Sequence, residues 1–132
     1  DINYSPERAD ALAKKRFNSA VVAHESLHEI KTEKEFEEKV ENGKGVIVVD
    51  FFSTYCQPCK AMLPRLNQVA KEVEDRTFYK ANVDELSGLT SKYYIYAVPC
   101  FMIFKGGKMI VKYQGMMSKD DLAELVKNFK TP

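Results

Sequence analysis

Tryptophan is absent from the sequence, and cysteine occurs only three times in 132 residues. Three cysteines are too few to staple a small domain with disulfides, and an odd count leaves one without a partner inside the chain. The fold must therefore stand on a hydrophobic core, for which 132 residues suffice in one domain. Charge of one sign is lacking too. Twenty Lys and Arg stand against 19 Asp and Glu, a formal net charge of +1. Nucleic-acid binding rests on a basic surface, so no nucleic acid is expected as a partner. No apolar run approaches the roughly 20 residues that would cross a bilayer, so no membrane span is expected. Ile2 to Val22 lacks the continuous apolar stretch of a signal peptide. Internal repeats and low-complexity linkers are missing as well. The first residue is Asp1, not a methionine. A soluble protein is expected, either cytosolic or, if an upstream targeting segment has been removed, secretory or organellar; a trimmed chain is the other explanation.

What is present divides the chain in two. Residues 1–25 form an N-terminal extension that is expected to be helical. Ser5 is a candidate N-cap with Pro6 in the first turn, and Ala9, Leu12, Ala13, Phe17, Ala20 and Val21 give a weak apolar stripe. The basic turn Lys14-Lys15-Arg16 reads as a solvated face, with a helix that docks on a membrane surface or on a partner in a larger protein assembly as the alternative. Residues 26–132 form the main domain. Leu27 to Ile30 reads as a short strand. Thr32-Glu33-Lys34-Glu35 spells a capping box, followed by a helix with Phe36 and Val40 inside. Gly45 to Phe52 is an apolar, β-rich run, as in a strand buried on both faces. A helix starts near the cysteines, with Met62, Leu63, Leu66, Val69, Ala70 and Val73 at helical spacing and a kink expected at Pro64. Thr77 to Val83 is the next strand, and residues 85–95 a loop with a short helix. Cys100 to Phe104 and Met109 to Tyr113 flank Gly106-Gly107 as a hairpin. Ser118 caps a last helix with Leu122, Leu125, Val126 and Phe129 inward. Strands alternating with helices predict an α/β fold, a mixed sheet with helices on both faces.

Two of the cysteines, Cys56 and Cys59, stand in Tyr55-Cys56-Gln57-Pro58-Cys59-Lys60, between a buried strand and a helix. Free N–H groups and the helix dipole stabilise negative charge at such a place. A thiolate at Cys56 gains most, and a lowered thiol pKa is the condition for attack on a disulfide near neutral pH. Cys59 is close enough to close a ring and expel a product thiol. Pro58 suits the first helical turn. The rivals are weaker. Zinc usually takes four ligands, and only Cys100, His24 and His28 remain to complete a set, so no metal is expected. A purely structural disulfide closing so short a loop would add little stability. Redox chemistry is the favoured reading.

The same residues, with others along the chain, resemble the thioredoxin family. The likeness runs from about Ser26 to Lys130. Val49-Asp50-Phe51-Phe52-Ser53-Thr54-Tyr55-Cys56-Gln57-Pro58-Cys59-Lys60 is similar to the family's strand and active site, and Pro64 to its kinking proline. Lys80-Ala81-Asn82-Val83-Asp84, Tyr96-Ala97-Val98-Pro99, Phe104-Lys105-Gly106-Gly107-Lys108 and Gly115 match further motifs. The resemblance implies the thioredoxin fold and a protein-disulfide reductase working through a Cys56–Cys59 disulfide. Cys56 would be the nucleophile and Cys59 the resolving thiol. Asp50, paired with Lys80, would help to deprotonate Cys59. Pro99 would be cis and would set Val98 beside the sulfurs. Tyr55, Gln57, Pro58, Val98, Pro99 and Gly115 would meet substrate. No organic cofactor is implied. Electrons would come from a thioredoxin reductase or another dithiol donor, and disulfide-containing proteins would be the substrates.

Four positions on the implied substrate face depart from the family pattern. Tyr55 stands for a tryptophan (as does Phe52 nearby), Gln57 for the glycine between the cysteines, Ala97 for a glycine and Gln114 for an apolar residue. Because Pro58 is kept, a potential near the reducing end is expected, close to the family's reference value of about −270 mV rather than the −180 mV of disulfide isomerase. An adaptor in a secretory or protein-export assembly, and an isomerase or oxidase domain, are the alternative roles. Cys100 follows Pro99, where threonine is usual. It reads as a small core residue, with an accessory redox thiol as the alternative. His24-Glu25-Ser26-Leu27-His28 spells the zinc-protease pattern but runs into a strand, so it reads as chance.

Overall fold

The computed structural model describes residues 27–129. The expectations for residues 1–25, including the helix capped by Ser5 and the boundary before residue 26, lie outside the described residues, as does His24.

β1 (His28–Ile30) leads to Thr32, whose hydroxyl accepts the Glu35 N–H at 3.0 Å and caps α1 (Glu33–Phe36). The reciprocal half of the capping box is shifted by one residue. The Glu35 carboxylate accepts from the Lys31 N–H at 2.8 Å rather than from Thr32. The helix then widens into a π-helical turn, Glu37–Glu41, where Asn42 N–H donates to the Glu37 carbonyl five residues back. A single α-helix was the expectation here. Phe36 and Val40 are both fully buried, so the change of pitch leaves the inner face intact.

β2 (Val46–Phe52) is the central strand, and Ile47 to Phe51 are all buried in it. α2 (Gln57–Glu72) follows and runs through Pro64 without interruption. β3 (Thr77–Asn82), α3 (Ser87–Lys92), β4 (Cys100–Lys105), β5 (Lys108–Gln114) and α4 (Lys119–Asn128) complete the order. The strands lie β1-β3-β2-β4-β5 across one sheet. β1, β3 and β2 are parallel, and β4 and β5 are antiparallel additions. Parallel neighbours need crossover helices, which is why the first half of the chain alternates and the second half can turn tightly.

Alternation along the strands makes two cores. Val48, Phe101 and Ile103 face Met62, Leu66 and Val69 of α2 and Leu122 and Val126 of α4. Val49, Phe51, Met102 and Phe104 face Phe36, Val40 and Leu89 on the other side. The sheet is thus flanked by helices on both faces, a thioredoxin fold as the sequence resemblance implied. Gly106 and Gly107 both carry positive φ, 59° and 83°, as a two-residue hairpin turn with the twist of its strands requires. Ser118 caps α4 by accepting the Asp121 N–H at 3.0 Å. Among the described residues no helix is long and apolar enough to cross a membrane.

Candidate active site at the start of α2

β2 ends at Phe52 and α2 starts at Gln57, so the four residues between them turn the chain from the sheet into the helix. The sequence places the helix start at the cysteines with Pro58 in its first turn, and the structure agrees: Cys56 itself is the N-cap and Pro58 lies in the first turn. Cys56 and Cys59 are joined in a disulfide, with Cα atoms 5.2 Å apart. The Cys59 N–H donates to Cys56 Sγ at 3.1 Å. That is the position in which a helix N-terminus stabilises an anion, here a thiolate once the disulfide is reduced. The two sulfurs differ in access. Cys56 is half-buried, whereas Cys59 is only 4% exposed. Gln57 and Pro58 lie exposed in the first turn, and Tyr55 beside Cys56 is 89% exposed.

Beneath the pair lies Asp50, 1% exposed on the face of β2 that looks toward α2. It is opposite Lys80 in the register of β2 and β3. Burial pushes its carboxyl up from an ordinary value of 3.8 to about 7, against the pull of the Lys80 ammonium. Its Oδ1 has no hydrogen-bond partner among the described residues. A pocket of about 220 Å³ is lined by Asp50, Cys59, Lys80, Lys60, Phe52 and Leu63 among others. The carboxylate and the buried thiol position therefore open onto one shared space, roomy enough for water.

On the other side of the disulfide, the Val98–Pro99 peptide is cis. The Val98 carbonyl oxygen lies 3.8 Å from Cys56 Sγ. Gly115 N–H donates to the Pro99 carbonyl at 2.8 Å, at a φ of 122° that suits glycine. Cys56, Cys59, Asp50, Lys80, Val98, Pro99 and Gly115 are thus brought around one end of the sheet, from β2, β3, the residues just before β4 and just after β5, and the start of α2.

Cys100 is close in sequence but turned away. It is fully buried in the core cluster on the far face of the sheet, with Phe51 and Met102. Burial pushes its thiol up to about 11. A thiol in that state is a poor nucleophile at neutral pH. In the reduced native protein we expect iodoacetamide to modify Cys56 and spare Cys100, read by peptide mass spectrometry. Labelling of Cys100 at a comparable rate without denaturant would revive the accessory-thiol reading. His28, the one described histidine of the protease-like pattern, opens β1, and its Nε2 meets the Glu35 carboxylate. Among the described residues no three His, Cys, Asp or Glu side chains are placed to hold a metal ion.

One part of the site had not been anticipated from the residues. Asp84 Oδ2 accepts from the Ser53 hydroxyl at 2.8 Å and the Thr54 N–H at 3.3 Å, while Asn82 donates to the Thr54 hydroxyl at 2.9 Å. The end of β3 thus pins the turn that carries Cys56. The signal was present as two polar pairs, Ser53-Thr54 and Asn82/Asp84, each placed just past a buried strand.

Comparison with known proteins agrees with this geometry. The sequence model of the thioredoxin family matches residues 27–128. Thioredoxin-2 of Saccharomyces cerevisiae is 34% identical over 87 residues, covering 66% of this chain and 84% of that protein. A thioredoxin of Mycoplasmoides gallisepticum is 40% identical over 81 residues, covering 61% of this chain and 81% of its own. Among solved structures, oxidised mitochondrial thioredoxin 3 of Saccharomyces cerevisiae superposes with a TM-score of 0.73 at 28% identity, covering 81% of this chain and 99% of that one.

Proposed function

Because this chain belongs to the thioredoxin family and is a thiol–disulfide oxidoreductase, we propose that it works as a reductant of protein disulfides, with Cys56 as the attacking thiol and Cys59 as the resolving one. The observation that carries the assignment of roles is the difference in access between the two sulfurs at one helix N-terminus. The Cys56 thiolate attacks one sulfur of a substrate disulfide. A Cys56–substrate disulfide forms, and the other substrate sulfur leaves as a thiolate. Asp50 takes the proton from Cys59, directly or across the shared pocket. The Cys59 thiolate then attacks Cys56 Sγ, the Cys56–Cys59 disulfide forms, and the second substrate thiolate leaves. Two electrons have passed from protein to substrate. A dithiol donor of the thioredoxin-reductase kind restores them by the same exchange in reverse. Val98 offers its backbone beside the reacting sulfur, where an extended substrate segment would pair with it.

The family supports disulfide-bearing proteins as substrates and reductases as partners. The adaptor role is not favoured, since the family match and the disulfide-forming pair at a helix N-cap both support exchange chemistry. The test has two parts. With dithiothreitol as donor, catalytic amounts should accelerate insulin reduction, seen as precipitation of the B chain. Equilibration in glutathione buffers should place the Cys56–Cys59 pair near the reference value of about −270 mV. A potential near −180 mV would instead move the protein to the oxidant or isomerase class.

A further inference from the structure

The segment Tyr93–Val98, which delivers Val98 to the disulfide, has its backbone N–H groups used up in a particular way. Tyr93 N–H donates to the Leu89 carbonyl, Tyr94 N–H to Ser91 and Ile95 N–H to Thr90. The next two have no main-chain partner. Tyr96 N–H and Ala97 N–H both donate to one side-chain oxygen, Gln114 Oε1, at 2.7 and 2.9 Å. Successive N–H groups converging on one point form a concavity that would otherwise seek an anion or a water. Two residues earlier on β5, Lys112 Nζ donates to the Tyr93 and Tyr94 carbonyls at 3.2 and 2.9 Å. Tyr94 has a φ of 54°, a left-handed conformation that a side-chain-bearing residue keeps only when its surroundings hold it there. Pro99 has no N–H. Among the described residues, the Val98 N–H makes no hydrogen bond.

From Tyr93 to Pro99, then, a single N–H is left for a visiting chain. We infer that Gln114 is a positioning residue that sets the register of substrate pairing, by occupying the two N–H groups just before Val98. An extended substrate segment can pair only at Val98, which aligns its disulfide with Cys56 Sγ. With an apolar residue at 114, the Tyr96 and Ala97 N–H groups become free competitors for the substrate's carbonyls. The segment can also relax away from the geometry that Lys112 supports at Tyr94. This inference rests on the reading of the protein as a reductant of protein disulfides that pairs with substrate backbone.

The test uses Gln114→Leu, Gln114→Asn and Gln114→Glu with insulin as the disulfide substrate and dithiothreitol as donor. Leu removes the acceptor, and Asn draws it back by one carbon. Glu keeps an oxygen at the same reach. Gln114 is half-exposed at the end of a strand, and Asn provides a polar loss of the contact should Leu fail to fold. KM for insulin should rise about fivefold in Leu and Asn while kcat stays within about twofold, and Glu should restore KM, as expected for loss and recovery of ordinary hydrogen bonds. Amide hydrogen exchange at Tyr96 and Ala97 should be slow in the wild type and Glu, and fast in Leu and Asn. Fast exchange in Leu with an unchanged KM overturns the inference and leaves the reductant reading intact. So does a Glu variant that behaves as Leu does. A wild-type protein that leaves insulin oxidised overturns the reductant reading, and the inference with it.

Discussion

Cys59→Ser, mixed in its reduced form with a disulfide-bonded protein, should accumulate a covalent complex through Cys56, whereas Cys56→Ser should form none. The prediction follows from access and not from the identity of the residues. Cys56 Sγ is the half-exposed N-cap sulfur, and Cys59 is buried against Asp50 and Leu63 around a common pocket. An incoming disulfide can therefore meet only Cys56. Removing Cys56 leaves a thiol that substrate cannot reach, and turnover should fall by on the order of a thousandfold or more, as for loss of a nucleophile. Removing Cys59 spares the first exchange and abolishes the second. Serine keeps the packing volume at 59, and the residue-59 N–H remains to donate to Cys56 Sγ, because that bond is made by the backbone. The complex should be visible on a non-reducing gel and disappear with dithiothreitol. A complex that forms through Cys59 in the Cys56→Ser variant would reverse the assignment of roles.

How much of this was legible in the residues varies with the range of the interaction. The central strand, the CxxC turn and the last helix were readable because local pattern decides them: a β-rich apolar run, a Pro in a first turn, a Ser cap. The burial of Asp50 was legible from its place in that run, and its neighbour Lys80 from the resemblance. The contacts that hold the two substrate-side loops were not. Asp84 reaches Ser53 across 31 positions of sequence, and Gln114 reaches Tyr96 across 18. Nothing local marks them, since an isolated Gln or Asp in a loop looks solvated. Gln114 did stand out as a departure from an apolar norm, yet its contacts with the Tyr96 and Ala97 N–H groups became visible only once β5 lay beside the Tyr93–Val98 segment. The first turn of α2, exposed at Gln57 and Pro58, lies outside the apolar periodicity and was legible instead from Pro58 and from the place of the cysteines just after a buried strand.

These long-range contacts share a logic. The cysteine turn is pinned from the end of β3, and the Val98 segment from the end of β5. Each half of the site is thus referred to the sheet rather than to the other half. Cys56 Sγ and the Val98 carbonyl, 3.8 Å apart, are thus held from two strands that share one sheet.

Asp50→Asn should be more stable than the wild type at pH 8 and no more stable at pH 4. Burial holds the Asp50 carboxyl at about 7, against 3.8 for the free group. The folded protein therefore keeps a proton that the unfolded chain releases as pH rises past 4. With more protons bound in the folded state, the free energy of unfolding must fall as pH rises through this window. The stabilisation is full below about pH 4 and is lost by the time pH passes through about 7. A shift of about three units corresponds to roughly 4 kcal/mol at 1.36 kcal/mol per unit. Asparagine is nearly isosteric and does not ionise, so urea denaturation should show that difference at pH 8 shrinking toward zero at pH 4. Parallel wild-type and Asp50→Asn curves across this range would mean that Asp50 ionises in the ordinary way. The gain in stability should come with a loss of function. A carboxylate that titrates near neutrality is matched to taking a proton from Cys59 at working pH, and loss of a general base slows its step by about a hundredfold or more. Release of substrate from the Cys56 mixed disulfide, followed by stopped flow, should slow accordingly in Asp50→Asn and lose its rise with pH near 7. The buried carboxylate is then costly to the fold for the same reason that it is useful to the chemistry: both follow from the burial that raises its pKa.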